Sequence, residues 1–213
     1  MLTAAAPAHP RRCKRAASRG ASLIEIIVVL VLLGLLLAAA MPEVGSWMAG
    51  LRVRGAAESL RNGVEIARME ALRRNTRVSF WMVADANSRV PGNGCALSTG
   101  SPAWVVSVSD PSGACGAEPS LSAGPQLVQR SQASESADGL SVAALSAGGA
   151  AVSSVTFNGL GQVQSTADGI QTIDVSSSSS GGRRLRVVVE SGGAIRMCDR
   201  DVASSDPRAC PAL

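Results

Sequence analysis

Residues 26–41 read IIVVLVLLGLLLAAAM, sixteen consecutive positions without a charge. A helix built from them is apolar on every side, so it cannot bury one face in a small domain and leave the other in water. Extending the run back to Ala21 gives 21 residues with Glu25 as the only charge. About 20 apolar residues suffice to cross the hydrocarbon core of a bilayer. The spacing therefore predicts one membrane-spanning helix over 21–42 with a carboxylate near its start. An acidic side chain at the centre of such a helix costs roughly 2.5–3.5 kcal/mol on insertion scales. Glu25 lies near the end, so it either sits at headgroup level or pairs with a positive group on a neighbouring subunit.

The charge of the chain divides at the same place. The formal net charge is +4. Residues 1–20 hold Arg11, Arg12, Lys14, Arg15 and Arg19 and no acid. The remainder keeps fifteen basic residues against sixteen acidic ones. A basic flank before an apolar helix stays on the cytoplasmic side, which places residues 43–213 on the far side of the membrane. An ordinary secretory signal has a shorter apolar core and an Ala-x-Ala cut. The run here is longer, but Ala38-Ala39-Ala40-Met41-Pro42 could imitate that cut, so a secretory signal stands as the less favoured alternative.

The only histidine, His9, also lies in the basic leader. Without His the rest of the chain lacks the usual general base and the commonest zinc ligand. No G-x-S-x-G elbow is present, and no enzyme, cofactor or metal site is expected. Setting Cys13 aside with the leader leaves Cys95, Cys115, Cys198 and Cys210. Four cysteines permit three connectivities. Local pairs, Cys95 with Cys115 and Cys198 with Cys210, are preferred because each brackets a Gly/Pro/Ser-rich loop. No C-x-x-C spacing supports a zinc site.

After Pro42, apolar residues recur at Val44, Trp47/Met48, Leu51, Ala57, Leu60, Val64, Ala67, Ala71 and Leu72, which predicts an amphipathic helix over 43–75. Glu58–Arg61, Glu65–Arg68 and Glu70 with Arg73 or Arg74 have helical ion-pair spacing. Joined to the apolar segment, this makes one rod over 22–75, about 80 Å long, kinked at Pro42. Residues 76–213 read as a β-domain. Strands are expected at Val78–Val83, Trp104–Val108, Val152–Phe157, Ile170–Val175, Arg184–Val189 and Ala194–Cys198, the last two as a hairpin. Gly-rich turns at Asn158–Gly161, Ser180–Gly182 and Ser191–Gly193 separate several of them. Ser131–Ala151 and Ser176–Ser180 are expected to be loose loops. The fold class is thus α+β, a long amino-terminal helix packed on an antiparallel sheet.

The stretch Arg19-Gly20-Ala21-Ser22-Leu23-Ile24-Glu25 resembles the type III signal of type IV pilins and type II secretion pseudopilins. The resemblance implies cleavage by a prepilin peptidase between Gly20 and Ala21, making residues 1–20 a leader. It implies methylation of Ala21, and pairing of Glu25 with the amino terminus of a neighbour during filament assembly. Many family members carry Phe or Met where this chain has Ala21. Leu51–Leu60, Ala67–Val78 and Val155–Gly161 further resemble the GspH/FimT family, as does the Cys198–Cys210 tail. This implies a minor pilin or pseudopilin at the inner membrane, with other pilins as partners. Some FimT-like proteins bind DNA through a carboxy-terminal Gly-Arg-x-Arg motif. This chain has Gly193-Ala194-Ile195-Arg196 there, half the motif, plus Arg183, Arg184 and Arg186. Six arginines in that region face Glu190, Asp199, Asp201 and Asp206. The small surplus predicts weak, salt-sensitive DNA binding at best, and a solvated strand face is the preferred reading.

Overall fold

The computed structural model describes residues 20, 22–86, 90–132, 139–178 and 183–211, the side chains of residues 39–44 excepted. One helix, α1 (Leu23–Arg74), precedes nine strands. The chain divides into two compact units, one ending at Pro42 and one running from Glu43 to Leu213.

In the first unit, Ser22 accepts the Ile26 N–H at 3.2 Å and opens the helix. Glu25 lies in the first turn, where a carboxylate complements the helix dipole. Thirteen Leu, Ile and Val residues between Leu23 and Leu37 are each at least 49 % exposed. Burying such side chains is worth about 1.5–3 kcal/mol apiece, so on the order of 20 kcal/mol of apolar stabilisation is unrealised in the isolated chain. Among the described residues, no helix is long and apolar enough to cross a membrane. The apolar stretch with described side chains is Leu23–Ala38, about 24 Å as helix and short of the roughly 30 Å of a hydrocarbon core. The helix assignment runs through Pro42, whose side chain lies outside the described set.

In the second unit, the strands are β1 (Val78–Ala84), β2 (Ala96–Leu97), β3 (Trp104–Ser107), β4 (Leu127–Arg130), β5 (Leu140–Leu145), β6 (Ser154–Phe157), β7 (Thr172–Ser177), β8 (Arg184–Val189) and β9 (Ile195–Asp199). They form two antiparallel sheets rather than one. The first has the order β2-β1-β3-β4 with β6 also paired to β1, and the second has the order β5-β7-β8-β9. The expected hairpin is present, with Val187 opposite Met197. A hydrogen bond from the Ala144 N–H to the Thr99 carbonyl joins β5 to the loop before β3.

Both sheets pack on one helix face. Val53, Ala56, Ala57, Leu60, Val64, Ala67 and Ala71 are buried in a single cluster with Phe80, Trp104 and Phe157 from the first sheet and Ile173, Val175, Leu185 and Val187 from the second. This corrects the stripe expected from sequence. Trp47, Met48, Leu51 and Leu72 are exposed, and Val53 and Ala56 take their place. The step from Leu51 to Ala57 is six residues, about 240° around a helix, so the expected stripe had joined two different faces. The ion pairs shift likewise. Arg54 pairs with Glu58 and Arg61 with Glu65, each at 2.8 Å. Arg68 instead donates to the Gly161 carbonyl.

The helix ends in a left-handed Asn75 (φ 49°). The Asn75 N–H bonds to the Leu72 carbonyl and the Thr76 N–H to the Ala71 carbonyl, the pattern of a Schellman cap. Glu70 is clamped there by Arg73 and Arg74. The Asn158–Gly161 turn packs against this end, since a Cβ at Gly161 would press on Leu72 and one at Gly159 on Asn75.

A second small core lies apart from this one. Val83, Val105 and Leu127 are buried with Cys95 and Cys115, and Trp81 packs against them. The structure joins Cys95 to Cys115 and Cys198 to Cys210. Cross-links closing loops of this size are worth about 3 kcal/mol each in the chain-entropy account.

Part of the segment expected to be a loose loop, Ser131–Ala151, is in fact strand β5. Its Val142 and Ala144 are buried while Ser141 and Ala143 face out, so the alternation was present but written in small residues. Residues 133–138 of that segment lie outside the described set. The expected loop over Ser176–Ser180 begins inside β7, and Ser179 and Ser180 also lie outside it.

At Gly63 the helix comes close against the first sheet. A Cβ there would lie 2.7 Å from the Trp104 indole and 2.8 Å from the Phe80 ring. Gly63→Ala gains roughly 1 kcal/mol of helix propensity but overpacks the core by about 1–3 kcal/mol. With the indole held by Ser59 at 3.1 Å, overpacking should win. A net loss of up to about 2 kcal/mol in urea unfolding is expected, and an unchanged or raised midpoint would contradict the packing described.

Glu70 generates a pH prediction. Hydrogen bonds from Arg73, and next from Arg74, hold its carboxyl at about 2 against burial, which pushes it up from its ordinary 4.5. A depressed carboxyl contributes stability above its unfolded value and loses it as pH falls, here between about 4.5 and about 2. Arg73 is 67 % exposed, so screening reduces the effect to on the order of 1–2 kcal/mol. Glu70→Gln should be less stable than the parent at pH 7, and the gap should close in denaturant melts toward pH 2. A gap that persists at the acid end would contradict the linkage.

Candidate functional site

Two places carry the sequence-predicted site residues. At the helix start, Gly20 and Ser22 are exposed and Glu25 is exposed in the first turn of α1. Ala21 and the leader residues 1–19 lie outside the described set. The Glu25 carboxylate stands on an apolar shaft whose side chains are themselves uncovered, so its surroundings are set by whatever covers the shaft.

The second place is the β8–β9 hairpin with the tail after it. Strand alternation puts opposite residues on one face of a sheet. Arg186 lies opposite Cys198 in one pair and Asp174 in the other, and Arg196 opposite Val188. Arg184, Arg186 and Arg196 therefore share the outer face. Leu185, Val187 and Val189 point to the core. Arg183 points the other way and lines a cleft of about 290 Å³ with Arg54 of α1, Arg208 and the Cys198 wall. The structure thus brings together three of the four candidate arginines and separates the fourth.

Each of these arginines has a carboxylate. Arg186 holds Asp174 through two bonds of 2.6 and 2.8 Å, and Asp174 pushes its guanidinium further up. Arg200 reaches the same Asp174 at 2.8 Å. Arg184 bonds Asp201 through its backbone N–H at 2.8 Å and its Nε at 2.6 Å. Arg183 bonds the buried Asp199 at 2.8 Å. Arg196 pairs with Glu190 at 2.9 Å. Arg208 clamps Asp206 and holds its carboxyl at about 2.

Asp174 is the member that a count over the last segment of sequence misses. It lies earlier, in β7, and only the strand pairing puts it opposite Arg186. No linear signal marks it, because the β7–β8 register that sets this acid across from Arg186 belongs to the fold. Gly193 of the half motif has a structural role of its own. Its φ is +86°, and a Cβ there would collide with the Gly161 carbonyl that Arg68 also bonds. Among the described residues, no group of acidic, Cys or His side chains could hold a metal ion.

No curated protein sequence matches this chain. Two crystal forms of the type IV minor pilin FimU of Pseudomonas aeruginosa resemble it in shape. One is 19 % identical with a TM-score of 0.42, covering 75 % of this chain and 95 % of FimU. The other is 16 % identical with a TM-score of 0.38, covering 74 % and 99 %. At these scores the likeness adds nothing to a family assignment. The family model for type II transport protein GspH does carry one, because it matches residues 56–193, from the buried helix stripe through the β8–β9 turn. With well over half its length inside that match, the chain belongs to the GspH family.

Proposed function

We propose that this chain is a minor pilin or pseudopilin, a structural subunit of a type IV pilus or type II secretion pseudopilus. The prepilin peptidase cuts after Gly20 and the new Ala21 terminus is methylated. The subunit waits in the inner membrane with residues 43–213 in the periplasm, and then enters the filament through its helix. The observation that carries this reading is the bare apolar half of α1, beside membership of the GspH family. A second copy of the same kind of helix, or lipid, can supply the missing cover. In that dry environment Glu25 would neutralise the amino terminus of a neighbour, where a charge pair counts far more than in water.

The test is Glu25→Val in cells that build the filament. Membrane insertion and leader removal should persist, while incorporation should fall about tenfold or more, since losing one partner strands the other charge in a low-dielectric core. Normal incorporation of the variant would contradict the assembly role.

The alternative role, DNA uptake through Arg183, Arg184, Arg186 and Arg196, draws less support. Carboxylates already occupy all four, so few counterions remain to be released. The intact chain should retard duplex DNA weakly at low salt and not at physiological salt. Retention at physiological salt that disappears when the four arginines become Ala would favour the DNA role instead.

A further inference from the structure

Three large apolar side chains stand beside the folded domain without contributing to it. Trp47 is 66 % exposed, Met48 47 % and Leu51 51 %. At about 100° per residue they centre on the direction opposite the buried stripe of Val53, Ala56, Leu60 and Val64. No repacking of the sheets can cover them. Arg52 lies on the same side as Met48, is exposed, and forms no ion pair among the described residues.

Position along the chain narrows what could cover this collar. Trp47 is six residues beyond Met41, the last residue of the apolar run, which is at most about 9 Å of helix. The interfacial layer on each side of a bilayer is roughly 5–8 Å deep. Helical side chains lean toward the helix amino terminus, here back toward the apolar run. Trp is the residue type enriched at that depth, with an apolar ring and a polar N–H. Arg can lay its stem on acyl chains and its head on lipid phosphates. A second copy related by a two-fold axis is a poorer occupant, because the face of each copy carries Arg52, which forms no ion pair among the described residues, and the two would repel.

We infer that Trp47, Met48 and Arg52 bind the lipid headgroup layer of the outer leaflet and hold the periplasmic domain against the membrane before assembly, with Leu51 at the upper edge of the contact. The inference rests on the membrane-resident reading proposed above.

The experiment uses the whole chain in vesicles of phosphatidylethanolamine and phosphatidylglycerol, with bromine on the acyl chains either near the headgroup or near the bilayer centre. Trp104 is buried and Trp81 is packed under the Cys95–Cys115 loop, so lipid-dependent quenching reports Trp47. Bromine near the headgroup should quench about twofold more than bromine at the centre, and Trp47→Phe should abolish the difference. With the chain resistant to carbonate extraction, emission insensitive to both lipids would overturn the inference and leave the membrane reading standing. Burial of Trp47 that appears only at high protein-to-lipid ratio would overturn it in favour of a second copy. A chain that carbonate extracts would overturn the membrane reading and the inference together.

Discussion

The buried face of α1 from Val53 to Ala71 is the surface on which both sheets depend. Neither sheet is large. The first presents Phe80, Met82, Trp104 and Phe157 to the helix and the second presents Ile173, Val175, Leu185, Val187 and Val189. With only five aromatic residues in the chain, close approach has to replace bulk. The helix supplies that by placing Ala56, Ala57, Gly63, Ala67 and Ala71 on the contact face. Small residues let the backbone come near enough for the Trp104 ring to lie over Gly63, 6.1 Å from Phe80. The two glycine turns at Gly161 and Gly193 then close around Arg68 and the helix end.

The other half of the same helix obeys the opposite rule. It has large branched side chains on every face and no small-residue stripe facing a sheet. One element therefore buries small residues against a domain at one end and, among the described residues, leaves its large apolar side chains exposed at the other. That division is a statement about packing, and the functional proposal follows from it. A chain that leaves on the order of 20 kcal/mol of apolar burial unused is built to be completed by something outside itself.

Much of this was legible in the residues. The helix, the main strands, the final hairpin and the α+β class follow from periodicity and turn chemistry. What was not legible has particular causes. The helix stripe was misplaced because Trp47, Met48 and Leu51 are apolar for a reason unrelated to the domain core. Strand β5 was hidden because Leu140–Leu145 carries its alternation in Ser and Ala, which weigh little in any hydropathy pattern. Strand β4, with a single fully buried side chain in Leu127, was missed for a similar reason. At the carboxy-terminal site the arginines and four of their carboxylates were visible, but the partner of Arg186 and Arg200 was not. Asp174 becomes their partner only through pairing across three strands, and long-range register is the information a linear reading lacks.

Charge in the carboxy-terminal region is thus spent within the fold. Asp174 ties Arg186 of one strand to Arg200 beyond another, and Asp199 and Asp201 fix the start of β8 to the disulfide-closed tail. The proposed function lies at the helix start instead, and the amino terminus of the native protein is where it can be tested most directly. Mass spectrometry of the chain purified from its own membrane should find a polypeptide beginning at Ala21 and carrying one added methyl group. A chain beginning at Met1, or at any residue beyond Ala40, would contradict the account.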